Sequence, residues 1–346
     1  MFWERNKRHA PTLALALGFL WDSLTLGRPD RLFDNAVLLI YLLIAGGSII
    51  LLNIRARRAE APLSLLTLIQ FAFGNLASAM FILYSKSGTL EGNLVFFVLL
   101  VGFLIGNEFV KGRYAQLHFH IAAYYLLVFS YLMIVVPTLM GEIGERVLIA
   151  SGTLSVLFIA AFISILSVIT PVLKDQVKKT IVSIAAIFIT FNALYLLNLI
   201  PPVPLALRHL DVYHAIERTG FTYTGTYEPG PWLQFWRNSS ATFHRTGGES
   251  VYCFSSIFAP AGLEAPIYHR WERYDEKRGG WTTMARTRFP IIGGREEGYR
   301  GFTIKSTLEK GSWRCSVETE RGALIGRRSF EVVEVSARPE LSRQTL

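Results

Sequence analysis

Through its first two hundred residues the chain alternates long apolar runs with short polar loops, and beyond them the pattern shortens abruptly. Apolar runs at about 11–27, 35–52, 62–84, 93–110, 118–139, 147–169 and 180–200 are rich in Leu, Ile, Val, Phe and Ala. They lack the one-sided periodicity of a surface helix, as expected where lipid surrounds much of each segment. A helix needs about 20 predominantly apolar residues to cross the hydrocarbon core, so the pattern predicts about seven transmembrane helices over residues 1–200. Barrel strands would instead alternate apolar and polar positions. The first run follows a basic N-terminus as a signal peptide would, but Leu20, Trp21 and Asp22 close it with no small-x-small cleavage pattern, so it reads as a retained helix.

After residue 200 the spacing changes. Pro201, Pro202 and Pro204 stop the last helix, and residues 201–218 read as a juxtamembrane linker. Within it Leu207, Leu210, Val212 and Ile216 are interleaved with Arg208, His209, Asp211 and Glu217. That pattern fits either a short amphipathic helix on the membrane interface or the first irregular segment of the following domain. Residues 219–336 carry short runs rich in Thr, Tyr, Val, Phe and Trp punctuated by Gly and Pro, the pattern of an all-β sandwich. The clearest strands are 250–258, with Val251, Cys253 and Ile257 on one face; 267–274, with Ile267, His269 and Trp271; and 312–318, with Trp313, Cys315 and Val317. A final strand spans 324–335, and residues 337–346 read as a disordered tail.

Charge adds an orientation. The N-terminus and every second loop are basic: Arg5, Lys7 and Arg8; Arg55, Arg57 and Arg58; Lys111 and Arg113; Lys174, Lys178 and Lys179. The intervening loops hold only Arg28, Arg31, Lys86 and Arg146. Eleven cations against four predict a cytoplasmic N-terminus and a C-terminal domain on the opposite side. The chain of 346 residues is 51% hydrophobic with a formal net charge of +9. A basic balance suggests nucleic acid in a cytosolic protein, but an exported domain meets anionic lipid, glycan or envelope protein instead. The expected partners are therefore the bilayer and those envelope components, with no nucleic acid.

Ionisable residues inside spans carry a functional hypothesis because they are costly there. Asp22 in the first span, and Asn107 and Glu108 one turn before Lys111 in the fourth, form the candidate intramembrane polar site. A local Glu108–Lys111 pair is the simpler explanation. Gly102 with Gly106, and Gly74 with Ser78, are small-residue pairs suited to close helix packing within the bundle or to a dimer seam. His118 and His120 are two apart and do not share a helical face, so no metal site is expected, and no cofactor. The exported half has no Gly-x-Ser-x-Gly elbow, His-Glu-x-x-His helix or phosphate-binding Gly loop, which leans the reading away from an enzyme. Arg300, Lys305 and Arg314, with His269 and Arg273, form the candidate binding patch. Arginine there suits bidentate recognition of carboxylate or phosphate; the alternative is a solvated basic face. His269 alternates with Trp271 on the core side and reads as a hydrogen-bonded core histidine.

The order Cys253, Trp271, Cys315 resembles that of immunoglobulin-like sandwiches, where two inter-sheet cysteines flank a buried tryptophan. That resemblance implies a Cys253–Cys315 disulfide, permitted in an oxidising compartment; two reduced, buried thiols are the alternative. Further motifs are Ile267-Tyr268-His269-Arg270-Trp271, Tyr299 to Lys305, Gly311-Ser312-Trp313-Arg314-Cys315, and Gly322 to Gly326 leading to Phe330. On these, the stretch 252–333 resembles the bacterial family called domain of unknown function 2914. Gly301 and Phe302 stand where that family usually has Thr-Trp, and Cys315 where it has Val. The resemblance implies a C-terminal envelope domain after membrane helices, hence a multi-pass protein of the bacterial inner membrane with a periplasmic domain. It implies no activity. The expected role is an anchor presenting a sandwich that binds an envelope ligand or protein partner; the alternative is a transporter or membrane-embedded enzyme with the sandwich as accessory.

Overall fold

The structure, a computed structural model, describes residues 20, 22–24, 26, 31–56, 63–109, 117–230, 239–292, 298–337 and 339–346. The chain divides into two compact units, Met1–Pro204 and Leu205–Leu346. The first is helical and the second is built from β-strands.

Six long helices occupy the first unit among the described residues: α1 (Leu32–Ala56), α2 (Leu63–Ser85), α3 (Leu90–Phe109), α4 (Leu117–Met140), α5 (Glu145–Ile169) and α6 (Val172–Leu196). Five segments are long and apolar enough to cross a membrane: Leu32–Ala56, Ser64–Ser85, Leu117–Met140, Glu145–Ile169 and Gln176–Leu196. The first apolar run lies almost wholly outside the described residues. Aromatic rings fill the centre of the bundle. Phe129 lies 4.8 Å from Phe191, Phe96 lies 4.7 Å from Tyr84, and the Tyr84 hydroxyl donates to the Ser130 carbonyl at 3.0 Å. The start of α3 is kinked at Asn93 (φ −126°, ψ 19°), whose Nδ2 donates to the Leu199 carbonyl at 3.0 Å.

Close helix approach is concentrated at Gly46 of α1. A Cβ there would lie 2.6 Å from the Tyr124 hydroxyl and 2.9 Å from its ring, while one on Gly47 would meet nothing within 4 Å. Overfilling a packed site costs about 1–3 kcal/mol, so Gly46→Val is expected to lower the melting temperature of the detergent-solubilised bundle. Gly47→Val should leave it in place; equal effects would show that the contact with Tyr124 carries no stability. Gly102 shows no close approach within the bundle. A Cβ on it would meet nothing within 4 Å, so no described neighbouring helix packs against that position.

Among the described residues the second unit has eleven strands: β1 (Ala206–Tyr213), β2 (Ala215–Thr219), β3 (Thr222–Tyr227), β4 (Thr242–Arg245), β5 (Val251–Phe258), β6 (Glu264–Asp275), β7 (Gly280–Ile292), β8 (Tyr299–Lys305), β9 (Gly311–Thr319), β10 (Leu324–Glu334) and β11 (Ser342–Thr345). They form a five-stranded sheet β4-β10-β9-β6-β7 and two three-stranded sheets, β1-β5-β8 and β11-β3-β2. All pairings are antiparallel except β4 with β10.

Period-two alternation explains the layering. Val212, Val251 and Cys253 from the first small sheet pack with Phe243, Trp271, Trp313, Cys315, Phe330 and Val332 from the large one. Cys253 of β5 and Cys315 of β9 join in a disulfide across these sheets, with Trp271 directly opposite Cys315 in the β6–β9 ladder. On the other side of β1-β5-β8, Tyr213 and Phe254 pack with Tyr223 of β3, flanked by Ile216, Tyr227 and Phe302. The sheet β11-β3-β2 therefore caps one face of the sandwich. The outer face of the five-stranded sheet has no such cover among the described residues.

Two expectations are corrected. Residues 206–213 and 215–219 are strands, neither an interfacial helix nor an irregular segment. A bulge between Leu207 and His209 shifts the register of β1 against β5. It brings Leu207 and Leu210 over the same residue, Gly326, so a strand displays the three-residue apolar spacing of a helix. The tail is likewise ordered: Ser342–Thr345 pairs with β3, and the Leu346 amide donates to the Tyr223 carbonyl at 2.8 Å. Its polar sequence carries no signal of its own, because its partner lies more than a hundred residues away.

Candidate functional site

The uncovered face of the large sheet displays the outward positions of four strands. From β6 come Tyr268, Arg270, Glu272 and Tyr274; opposite them on β7 stand Arg288, Arg286, Thr283 and Trp281. β9 adds Arg314, Ser316 and Glu318, and β10 adds Arg327, Ser329 and Glu331. The face thus holds five arginines against three glutamates, with three aromatic rings between them.

Two of the glutamates lie beneath the arginines, with Glu272 3% exposed and Glu318 2%. Arg314 grips Glu272 with both prongs of its guanidinium, Nε to Oε2 at 2.6 Å and Nη2 to Oε1 at 2.9 Å. Arg286 donates from Nε to Glu318 Oε1 at 2.8 Å, and Arg270 Nε lies 3.1 Å from Glu318 Oε2. Burial alone would push the Glu272 carboxyl up. The Arg314 hydrogen bonds and the charges of Arg270, Arg314 and Arg327 outweigh it and hold the carboxyl below its ordinary range. Aromatic rings fix the same guanidinium groups from the side. Arg314 stacks over Trp281 at 4.2 Å and Arg286 over Tyr268 at 3.8 Å. Trp281 meets Tyr274 edge to face at 5.4 Å, and Tyr274 is 37% exposed. The arginines are thereby held in place, an arrangement that would lower the ordering cost of any binding there.

A second polar cluster ties the small sheets together. His214, between β1 and β2, places Nε2 2.8 Å from Glu228 Oε1 and Nδ1 2.9 Å from Glu249 Oε1, and its ring stacks on Phe243 at 4.0 Å. His244 Nδ1 lies 2.7 Å from Glu228 Oε2, and its backbone amide donates to Oε1 at 2.7 Å. Burial pushes the Glu228 carboxyl up, but these bonds prevail and hold it below its ordinary range. Every polar atom of the imidazole faces a carboxylate, which makes the cluster a structural clasp.

The residues singled out in the sequence are dispersed. Of Arg300, Lys305, Arg314, His269 and Arg273, only Arg314 lies on the uncovered face. Arg300 and Lys305 belong to β8 of the small sheet, and Arg300 Nη1 donates to the Leu346 carbonyl at 2.8 Å. Arg273 points to the sandwich edge, donating to the Lys310 carbonyl at 3.3 Å beside Glu309. His269 is buried in the core, its Nε2 2.7 Å from Ser255 Oγ and its Nδ1 3.0 Å from Thr303 Oγ1, which also accepts from Trp271 Nε1. Burial pushes its pKa down to about 3. Cys253, Cys315 and His269 bring ligand atoms within 4.8 Å of one another, but the sulfurs are bonded together and lack the thiolate charge that holds a metal. In the first unit, Lys111 and the side chains of Asn107 and Glu108 lie outside the described residues. Asp22 is buried beside Ser78 and Tyr41. The His118 backbone amide donates to Gln176 Oε1 at 3.0 Å, which joins α4 to α6.

Tyr268, Arg270, Glu272, Trp281 and Arg286 were not singled out in the sequence. The signal for the three on β6 was the parity opposite Ile267, His269 and Trp271, read only for the core side, while Trp281 and Arg286 lie on β7, which has no comparable apolar alternation.

Residues 264–332 match the family model described as "Protein of unknown function (DUF2914)". That match runs from the start of β6 into β10, so it supplies the whole of the uncovered face except its β4 edge. No curated protein matches the chain. Among solved structures, a beta-glucosidase from Listeria innocua in complex with glucose is 14% identical, with 34% of this chain and 17% of that one covered at a TM-score of 0.21. The alkylpurine DNA glycosylase AlkC from Pseudomonas fluorescens, bound to DNA containing an abasic site analog, is 11% identical over 88% of this chain and 99% of that one, at a TM-score of 0.23. Neither likeness bears on fold or chemistry here.

Proposed function

We propose that this is a multi-pass protein of the bacterial inner membrane whose seven-span bundle anchors a periplasmic, immunoglobulin-like sandwich that binds an anionic component of the envelope. The orientation rests on the alternating basic loops. The sandwich assignment is supported by two facing sheets joined through a disulfide beside a buried tryptophan. A membrane setting is supported by the five helices long and apolar enough to span.

One observation carries the binding role. The face of the large sheet left uncovered is lined with arginines already fixed by buried carboxylates and aromatic rings. Glu272 and Glu318 engage Arg314, Arg286 and Arg270, and the exposed Arg288 adds positive charge to the same face. Arginine, tyrosine and tryptophan are the residues that dominate binding energy at interfaces.

The test is calorimetric titration of the full-length protein in zwitterionic nanodiscs with polyphosphate, a polyanion without sugar or base. Wild type is expected to bind with an affinity that falls as salt rises, and Arg288→Glu with Arg327→Glu to weaken it by roughly tenfold or more, the scale of a lost charge-assisted contact. Binding unchanged by the double variant would remove the face from consideration.

A further inference from the structure

Resting on that reading, we infer that the ligand of the uncovered face is an acidic polysaccharide, bound along the β6–β7 pair through both its charges and its sugar rings. Three features converge. The face is an open sheet surface among the described residues, so it suits a chain laid across it and not a small molecule enclosed in a pocket. Its groups form a row: Tyr274 with Trp281, then Glu272 with Thr283, then Arg270 with Arg286, then Tyr268 with Arg288. At the rise of a β-strand that row extends about 20 Å. Finally, aromatic rings occupy both ends while guanidinium groups occupy the middle.

The chemistry of such a row matches a polymer carrying carboxylate or phosphate on saturated rings. The fork of an arginine meets a carboxylate or phosphate through two parallel hydrogen bonds, and the exposed Arg288 has that fork to offer at the Tyr268 end of the row. The apolar C–H face of a pyranose lies flat on a tyrosine or tryptophan ring, and its hydroxyls take up the remaining donors. Arg314 and Arg286 spend their forks on Glu272, on Glu318 and on the Thr319 and Glu320 carbonyls, so with Arg270 they contribute positive charge at fixed spacing along the strand and not a second bidentate contact. A purely electrostatic partner would gain nothing from Tyr274 and Trp281.

The experiment uses the full chain in zwitterionic nanodiscs and four probes at one ionic strength: a polyuronate, a neutral glucan of similar length, polyphosphate, and anionic phosphatidylglycerol vesicles. The expected result is binding to the polyuronate and none to the neutral glucan. Tyr274→Ala, which leaves every buried ion pair intact, should weaken polyuronate binding by about tenfold, within the range of one lost aromatic stack, while leaving polyphosphate binding unchanged. If polyphosphate or vesicles bind as tightly as the polyuronate and Tyr274→Ala changes nothing, the polysaccharide assignment falls while the anion-binding role stands. If no anionic probe binds, both fall.

Discussion

Replacing Cys253 and Cys315 together by alanine is expected to destabilise the sandwich by about 4 kcal/mol, the chain-entropy value for a closed loop of this length. The two positions are 62 residues apart in sequence. The bond ties β5 of one sheet to β9 of the other, so without it the unfolded chain regains the freedom of β6, β7 and β8 between them. The alanines also leave space beside Trp271 and Trp313, which adds a cavity penalty to the entropic one. Denaturation of full-length protein in detergent, followed by tryptophan fluorescence, reads the sandwich transition. Reductant should shift wild type to nearly the same midpoint as the double variant. A wild-type midpoint indifferent to reductant would contradict the stabilising role of the bond.

Acid is expected to have a comparable effect. His269 is surrounded by Ser255, Thr303, Phe289 and the disulfide, none of them charged. Its pKa falls from an ordinary 6.5 to about 3 because burial disfavours the imidazolium. The unfolded chain therefore takes up a proton below 6.5 that the folded chain refuses. Stability is fully present above 6.5 and is lost as pH falls toward the folded value, at about 1.4 kcal/mol per pH unit. Between 6.5 and about pH 5 the loss is roughly 2 kcal/mol. Glu228 and Glu272 act with the same sign at lower pH. Their folded values lie below the ordinary 4.5, so their contribution disappears as pH drops through the folded values. Melting temperatures of full-length protein across this range should decline mainly through His269, with His209, also lowered by burial, adding in the same direction, and His269→Gln should reduce the decline above about pH 5. A wild-type transition constant from neutrality to that pH would refute the assignment.

Much of the sandwich was legible because its central strands alternate cleanly. Trp313, Cys315 and Val317 face in while Arg314 faces out, and Ile267, His269 and Trp271 do the same on β6. Five helices were legible from length and apolar content alone. What escaped had physical causes. The bulge in β1 imitated a helical period. β7 is built from Thr, Arg, Met and Trp without a long apolar run, so it did not stand out beside its neighbours. β11 is a short polar strand whose only reason to be a strand is the edge of β3. The candidate patch failed for a different reason. Arg300, Lys305 and Arg314 are close in sequence and all sit on strands, but sequence spacing does not say which sheet a strand joins. β8 pairs with β5 and β9 with β6, which separates Arg300 and Lys305 from Arg314 by the thickness of the sandwich.

The alternation of β6 and β9 couples two properties that would otherwise be independent. Each strand shows arginine and glutamate outward, and on the reverse of the same backbone it carries imidazole, indole or sulfur inward. In the proposed binding role, affinity at the surface is thermodynamically linked to the oxidation state and proton load of the interior. A reductant or an acid that loosens the strands from behind would also scatter the guanidinium row in front, and an occupied row would protect the interior in return.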